Sequence, residues 1–542
     1  MDRGSSKGGD WGRRRWVRLL NGQACADFTS FTVPVVERFR WFAGRARGGL
    51  LVAGTRANTP MRSNARIGRS DGVFARPTLL DSTRFCETMR VITDGKDDMN
   101  PFSISRRGFL KTASAVAAVS TLPAWFVEEC AAQQNQPSSK SPNEQLSIGL
   151  IGCGGMGTGD GKNASRFGKV VAVCDVDANH LAEATGKNFP GAAGYSDFRK
   201  LLDRKDIDVV LCGTVDHWHT LVSMAAMKAG KDVYCEKPLT LTIDEGKRLV
   251  QVQKETKRIL QTGTQQRSDS HFRLAADLVR NGRIGKIERA EVWLPAGLRG
   301  GPFAVSAVPN GFDFDFWMGQ TRKVDYVKER THFSFRYWWD YSGGTMTDWG
   351  AHHNDIVLWA LGMDGSGPVS IEGKQLIDMI PGGYTAASEY EVTYTYANGV
   401  VHSCKSTTGS EWHGGVKDKT KQQHGIKFIG SDGWIWVTRG TIEANDRSLL
   451  TKPLPADANR VYASNDHMGN FIQCAKSRKP TTCPAEVGHR SASLCHLGVI
   501  SIRLGRKLQW DPAKEQFVND NEANSYLVRE MRKPYDYSMV AL

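Results

Sequence analysis

Residues 146 to 157, Leu-Ser-Ile-Gly-Leu-Ile-Gly-Cys-Gly-Gly-Met-Gly, run a short apolar strand straight into G-x-G-x-x-G at Gly152, Gly154 and Gly157. Gly152 permits the tight turn, Gly154 lets the backbone approach a pyrophosphate, and Gly157 lets the next helix pack closely on the strand with its first N–H groups facing the phosphates. The pattern reads as a dinucleotide site, with Gly155 and Met156 completing the loop. A second apolar strand, Val170 to Cys174, ends at Asp175, 23 residues after Gly152, where a carboxylate takes both ribose hydroxyls of an adenosine. That carboxylate repels a 2′-phosphate, so NAD is expected ahead of NADP.

A chain of 542 residues with 40% hydrophobic content is too long for one ordinary domain and suffices for two cores. The first 98 residues hold 16 Arg and 2 Lys against 10 Asp+Glu, which is +8 of the whole chain's +14. Elsewhere no basic stripe is interleaved with aromatics, so nucleic acid is not an expected partner. Residues 1–98 also lack any sustained period and read as a mis-started or disordered extension. From Met99 the chain runs through Ser105-Arg106-Arg107-Gly108-Phe109-Leu110-Lys111 into the weakly apolar stretch Ala113 to Val127, the pattern of a twin-arginine export signal. Residues 99–132 are therefore expected to be a signal peptide, with Cys130-Ala131-Ala132 suiting a cleavage site, the translocase as partner and the periplasm as destination. Val127-Glu128-Glu129 is a poor lipoprotein approach to Cys130, and the apolar run is too short to span a bilayer, so no stable membrane anchor is expected.

Eight cysteines follow the signal, at 153, 174, 212, 235, 404, 474, 483 and 495, with no C-x-x-C among them. They are expected to be reduced core thiols, neither a disulfide framework nor a metal site. A polar linker at 133–144 leads into strands at 148–151, 170–174, 209–212, 233–235 and 259–262 that alternate with helical patterns, which implies a doubly wound parallel sheet over 145–266. Over 267–542 strands with alternating character, such as Tyr390 to Tyr396, accumulate between helices at about 272–280, 346–361, 467–475 and 485–504. The fold class is thus α/β, a Rossmann domain followed by an α+β domain with a large, mostly antiparallel open sheet.

Two constellations carry chemistry. Strand 233–235 runs into Glu236-Lys237-Pro238 at the carboxyl edge of the sheet, where ligands bind in doubly wound folds. An ammonium there can donate to a hydroxyl and stabilise developing alkoxide, with Glu236 fixing its direction. The second is Asp348-Trp349-Gly350-Ala351-His352-His353-Asn354-Asp355, in which Asp348, His352 and Asp355 share one helix face. An imidazole oriented by a carboxylate one turn away is a general base for a sugar hydroxyl. His353 points about 100° away from His352 and is the second candidate, a substrate contact. Arg267 and Trp338 are further candidate substrate contacts. Metal binding is not expected, since H-E-x-x-H is absent.

The glycine fingerprint, Asp175, Thr214-Val215-Asp216-His217-Trp218-His219, Glu236-Lys237-Pro238 and Asp348-x-x-x-His352, standing in this order, resemble the glucose-fructose oxidoreductase / inositol dehydrogenase / rhizopine-catabolism (Gfo/Idh/MocA) family over roughly residues 145 to 505. The resemblance implies Lys237, Asp348 and His352 as the catalytic set and cofactor contacts from Thr214, His219, Glu236 and Lys237. It also implies assembly as a homodimer or homotetramer. The family usually reads T-P-N-x-x-H where this chain has Val215-Asp216. An exported enzyme meets no replenished pool of NAD, so the expectation is a sugar or polyol oxidoreductase with a tightly retained cofactor. The alternative is an NAD-dependent glycosidase working by oxidation, elimination and reduction. A non-catalytic sugar-binding relative is the third possibility.

Overall fold

A computed structural model describes residues 121–133, 145–408 and 424–540. The expected extension at 1–98 and the twin-arginine motif lie outside these residues, as does all but the first residue of the expected linker.

Six parallel strands form the first sheet: β1 (Leu146–Ile151), β2 (Gly168–Cys174), β3 (Ala193–Tyr195), β4 (Val209–Cys212), β5 (Asp232–Cys235) and β6 (Leu260–Thr262), in the order β3-β2-β1-β4-β5-β6. This is the doubly wound order of a dinucleotide-binding fold, with its reversal between β1 and β4. Strand β4 (Val-Val-Leu-Cys) is apolar and buried throughout, and β1 from Ile148 and β5 from Val233 are buried and, Gly149 apart, apolar, because both faces are covered, as parallel strands require. The helices between them begin at side-chain caps where the sequence offers one: Asp177 accepts from the Asn179 amide, Asp197 from Arg199, and Thr242 from Glu245. The three-residue β3 is absent from the sequence reading, because Ala-Gly-Tyr carries no periodic signal.

The second sheet has nine strands: β7 (Ile287–Leu294), β8 (Ser370–Gln375), β9 (Tyr390–Thr395), β10 (Val401–Ser406), β11 (Gly425–Gly430), β12 (Gly433–Thr438), β13 (Thr441–Ala444), β14 (Leu508–Asp511) and β15 (Gln516–Phe517). Their order is β13-β12-β11-β7-β10-β9-β8-β14-β15, antiparallel throughout except where β10 runs parallel to β7. The period-2 burial of β9, with Tyr390, Val392 and Tyr394 inward, puts one face against a helical layer. That layer contains the helices Ser270–Arg280, Gly350–Leu361 and Ala485–Leu504, whose side chains join the sheet in one core. Among the described residues no helix is long and apolar enough to cross a membrane, and all nine cysteines are free, eight of them buried.

Two features cut across the sequential domain boundary at 266. The helix His467–Ser477 sends Met468, Phe471, Ile472 and Ala475 into the core of the first sheet beside Ile148 and Val173. The helix Ala485–Leu504 packs against the helix Ile243–Thr256, so closely that a Cβ on Gly246 would stand 2.0 Å from His489 Nδ1. The two sheets are thereby held in fixed relation across the crevice. A third feature concerns the expected signal peptide, whose residues 124–132 lie in a helix, Ala124–Gln133, packed on the second domain.

Candidate functional site

The glycine turn closes on the end of β4. Gly152 has φ +90°, and a Cβ there would lie 2.5 Å from the Gly213 carbonyl oxygen; on Gly157 it would lie 2.0 Å from the Gly152 carbonyl oxygen. These two positions tolerate no side chain. A Cβ on Gly154 or Gly155 would meet nothing within 4 Å, so the turn is open on the side where a pyrophosphate belongs. Gly154 caps the helix Gly155–Ala164 without any side-chain hydrogen bond, leaving that opening to a ligand, and Met156 is exposed beside it. At the end of β2, Asp175 accepts from the Cys153 amide through Oδ2 (2.7 Å) and from the Asp177 amide through Oδ1 (2.9 Å). These bonds fix the carboxylate and leave lone pairs on both oxygens for ribose hydroxyls.

The second domain reaches the same edge. Asp177 and Phe312 form an isolated antiparallel bridge, the Asp313 amide donates to the Val176 carbonyl (3.0 Å) and the Ala178 amide to the Gly311 carbonyl (2.9 Å). His180 and His332 flank this corner, at 3.5 Å from Asp175 Oδ2 and Asp177 Oδ2 respectively. The bare glycine turn and the carboxylate at the end of β2 fit a bound NAD. Asp175→Asn is expected to weaken NAD binding to the stripped protein by about tenfold or more, since hydrogen bonds to a charged acceptor contribute ~1.5–3 kcal/mol. Calorimetric titration checks this; unchanged affinity would remove Asp175 from the ribose site.

Beyond β5, the Glu236 carboxylate is buried and accepts from Gln265 Nε2 (2.7 Å), the Tyr234 hydroxyl (3.4 Å) and the Lys237 amide (3.3 Å). It props the turn from beneath. Asp160, from the helix after the glycine turn, is buried against it; burial and the neighbouring Glu236 push the Asp160 carboxyl well above its usual value. His219 reaches the same turn. Its Nδ1 faces the Pro238 carbonyl (2.7 Å) and its Nε2 the Thr214 carbonyl (3.1 Å), so the imidazole ties two loops together. Thr214 turns its hydroxyl to the Val215 carbonyl (3.3 Å) and the Cys212 thiol (3.4 Å).

Lys237 crosses to the second domain, where its ammonium donates to the Asp348 carboxylate and to the Asp348 carbonyl (3.2 Å). That carbonyl is free because the helix is interrupted at Trp349: the amides of His352 and His353 both turn to the Trp349 carbonyl (3.1 and 3.2 Å). The expected single helix over 346–361 is therefore two, Thr345–Asp348 and Gly350–Leu361, the second closed by Gly362 at φ +70°. Arg336 Nε lies 3.5 Å from the same Asp348 oxygen. Burial opposes ionisation of Asp348, but Lys237 and then Arg336 outweigh it and hold the carboxyl below its usual value. Asp348 is thus oriented toward Lys237 and does not pair with His352, contrary to the one-turn arrangement expected from the spacing.

His352 is buried, and its Nδ1 has no hydrogen-bond partner among the described residues. Burial, followed by the positive charges of Lys237 and Arg439, drives its pKa well below 6.5, so the ring is a neutral base at pH 7. With its amide oriented to satisfy both neighbours, Gln266 donates to the His352 carbonyl (2.8 Å) and accepts from Arg439 Nε (3.2 Å), while the Arg439 guanidinium lies 4.9 Å from the Trp349 ring centre. Because the base form is the active one, the acid limb of kcat/KM assigned to His352 should fall below pH 6.5, and activity should be lost only as pH drops through that depressed value. A limb centred above 6.5 that disappears in His352→Asn would contradict this.

The structure buries the three expected substrate contacts among other side chains. His353 is fully buried, between the Trp349 carbonyl (3.3 Å) and His424 Nδ1 (3.0 Å). Arg267 is fully buried in ion pairs with Asp355 (2.7 and 2.8 Å) and Asp364 (2.7 Å). Trp338 donates its indole N–H to the Glu329 carbonyl (2.7 Å) beneath the Arg330 guanidinium (3.8 Å). Conversely, Arg336, Gln266 and Arg439 reach the site although their sequence surroundings give no local signal. Asp160 was not singled out from the sequence either; its only signal was an acid three residues beyond the last fingerprint glycine.

Residues 146–264 match the family model described as oxidoreductase family, NAD-binding Rossmann fold, and residues 301–537 match its counterpart, oxidoreductase family, C-terminal alpha/beta domain. Among curated proteins, inositol 2-dehydrogenase of Salmonella typhimurium (strain LT2) is 33% identical over 145 residues, 26% of this chain and 43% of that protein. A glycosyl hydrolase family 109 protein of Shewanella pealeana is 29% identical over 206 residues, 35% of this chain and 45% of that protein. The chain spans less than half the length of these relatives. The WlbA dehydrogenase of Bordetella pertussis, solved with NADH and UDP-GlcNAcA, shares the fold, with a TM-score of 0.51 at 17% identity over 68% of this chain and 99% of that one. With both domain models matched in order over about two thirds of its length, the chain belongs to the Gfo/Idh/MocA oxidoreductase family, its first domain being that family's NAD-binding Rossmann fold.

Proposed function

We propose that the protein is an NAD-dependent oxidoreductase acting on a CH–OH group of a sugar, polyol or sugar derivative. The observation that carries this reading is the meeting of Lys237, from the carboxyl edge of the first sheet, with Asp348 beside the neutral His352 of the second domain. A bound nicotinamide supplies the hydride acceptor. Lys237 donates to the substrate oxygen and stabilises the alkoxide as it develops, Asp348 and Arg336 hold that ammonium in place, and His352 accepts the hydroxyl proton. The inositol 2-dehydrogenase relatives support a polyol or sugar as substrate.

The same reading takes the chain to be exported through its Arg106-Arg107 signal with the cofactor already loaded and retained. The strap at Gly311–Asp313 and His332 across the β2 edge favours slow release. The glycosyl hydrolase family 109 relative, aligned over a longer stretch than the dehydrogenases, favours a second reading, an NAD-dependent glycosidase in which oxidation and reduction cancel within one turnover. Denaturing the purified protein and measuring nucleotide per chain tests retention. With a near-stoichiometric yield, hydride exchange between a polyol and a keto-sugar then supports the oxidoreductase, and sugar released from a glycoside without added cofactor supports the glycosidase. An empty protein overturns retention, and inactivity toward both substrate classes overturns the proposal.

A further inference from the structure

The helix Ala124–Gln133 falls at the end of the stretch that reads as a cleavable export signal, yet it is built into the second domain. A ten-residue helix does not hold its shape alone in water, so what stabilises it is the surface beneath it. Phe126 is fully buried in the second core. Trp125 donates its indole N–H to the Leu450 carbonyl (3.0 Å), and the Ile442 amide of β13 donates to the Thr121 hydroxyl (3.3 Å).

The polar contacts are just as specific. Arg273, on the helix Ser270–Arg280 and only 1% exposed, donates to Gln133 Oε1 (2.9 Å) and Asn465 Oδ1 (3.2 Å), touches the Cys130 thiol and lies 4.9 Å from the Phe126 ring centre. Asn465 returns a bond to the Cys130 carbonyl (3.1 Å). Arg460 pairs with Glu129 (2.9 Å) and lies 5.6 Å from the Trp125 ring centre. Cleavage after Ala132 would open the Phe126 site to water and strip Arg273 of the thiol and the ring. Gln133 would be left at a free end. Leaving a buried guanidinium without the thiol and ring that cover it, and with Gln133 held only at a free end, is costly, which argues that the domain folds with this segment in place.

We infer that residues 121–133 are a permanent part of the folded body, seated on the helix Ser270–Arg280, β13 and residues 460–465, and that any processing of the N-terminus falls before Thr121. Cys130, turned onto Arg273, is then no site for a lipid.

Limited proteolysis of the full chain, with N-terminal sequencing of the resistant core, tests this. The core should begin at or before Phe126. In parallel, a chain starting at Gln134 should melt about 5 °C or more below one starting at Thr121. A resistant core beginning after Phe126, or equal melting temperatures for the two chains, overturns the assignment.

Discussion

Lys237→Met is expected to lower kcat by a factor of ~10²–10³ or more, on whichever sugar or polyol the wild-type protein turns over. Removing one preorganised donor to a developing oxyanion costs about 2.7–4 kcal/mol, and each 1.36 kcal/mol is roughly tenfold in rate. The substitution keeps the length and apolar stem of the side chain and removes only the ammonium. Asp348 retains a cation, because Arg336 Nε stands 3.5 Å from the oxygen that Lys237 engages. NAD should therefore still bind to the variant, and its melting temperature should stay close to wild type. The measurement is kcat and KM for the variant beside calorimetric NAD affinity. A kcat within tenfold of wild type would reduce Lys237 to a strut between the domains. A parallel loss of NAD affinity would mean that it acts on the cofactor and not on the substrate oxygen. His352→Asn provides the comparison, since it should lower kcat without disturbing the Lys237–Asp348 pair.

How far the sequence revealed this site depended on the range of the interactions involved. The first domain was legible almost strand by strand because parallel strands buried on both faces read as apolar runs. The site was legible only where a motif is local. Gly152 and Gly157 are demanded by backbone contacts with Gly213 and with one another, and Lys237 follows directly from the end of β5. Partners drawn from distant segments were not legible: Asp348 sits 111 residues from Lys237, and the spacing that aligned it with His352 assumed one unbroken helix. Trp349 keeps helical dihedrals, but the His352 amide bonds the Trp349 carbonyl, which frees the Asp348 carbonyl that Lys237 uses. Likewise, a charged or aromatic side chain near a motif cannot declare whether it faces a ligand or another side chain. Trp338 lies under Arg330, and His353 lies against His424.

Arg267 shows the same ambiguity with a large energetic consequence. Lying just after β6 at the mouth of the crevice, it has the position of a substrate-binding guanidinium. Instead it is 1% exposed and bidentate to Asp355, which is fully buried on the helix that carries His352. Arg267→Met leaves the Asp355 charge in the core without its partner, and breaking a buried pair from one side costs about 3–5 kcal/mol. Asp364 loses less, since Arg280 remains 3.2 Å away and the carboxylate is partly exposed. The double variant Arg267→Met/Asp355→Leu removes both charges and should recover much of that loss, because burying two charges is itself expensive. Denaturant midpoints of the two single variants and the double variant measure the coupling. At temperatures where Arg267→Met is folded, its KM should stay within about threefold of wild type, a shift of less than ~1 kcal/mol. A KM raised a hundredfold with stability unchanged would return Arg267 to the substrate. The opposite pattern makes it the bolt that fixes the helix of His352 against the end of the first sheet, and so sets the distance across which Lys237 and Asp348 meet.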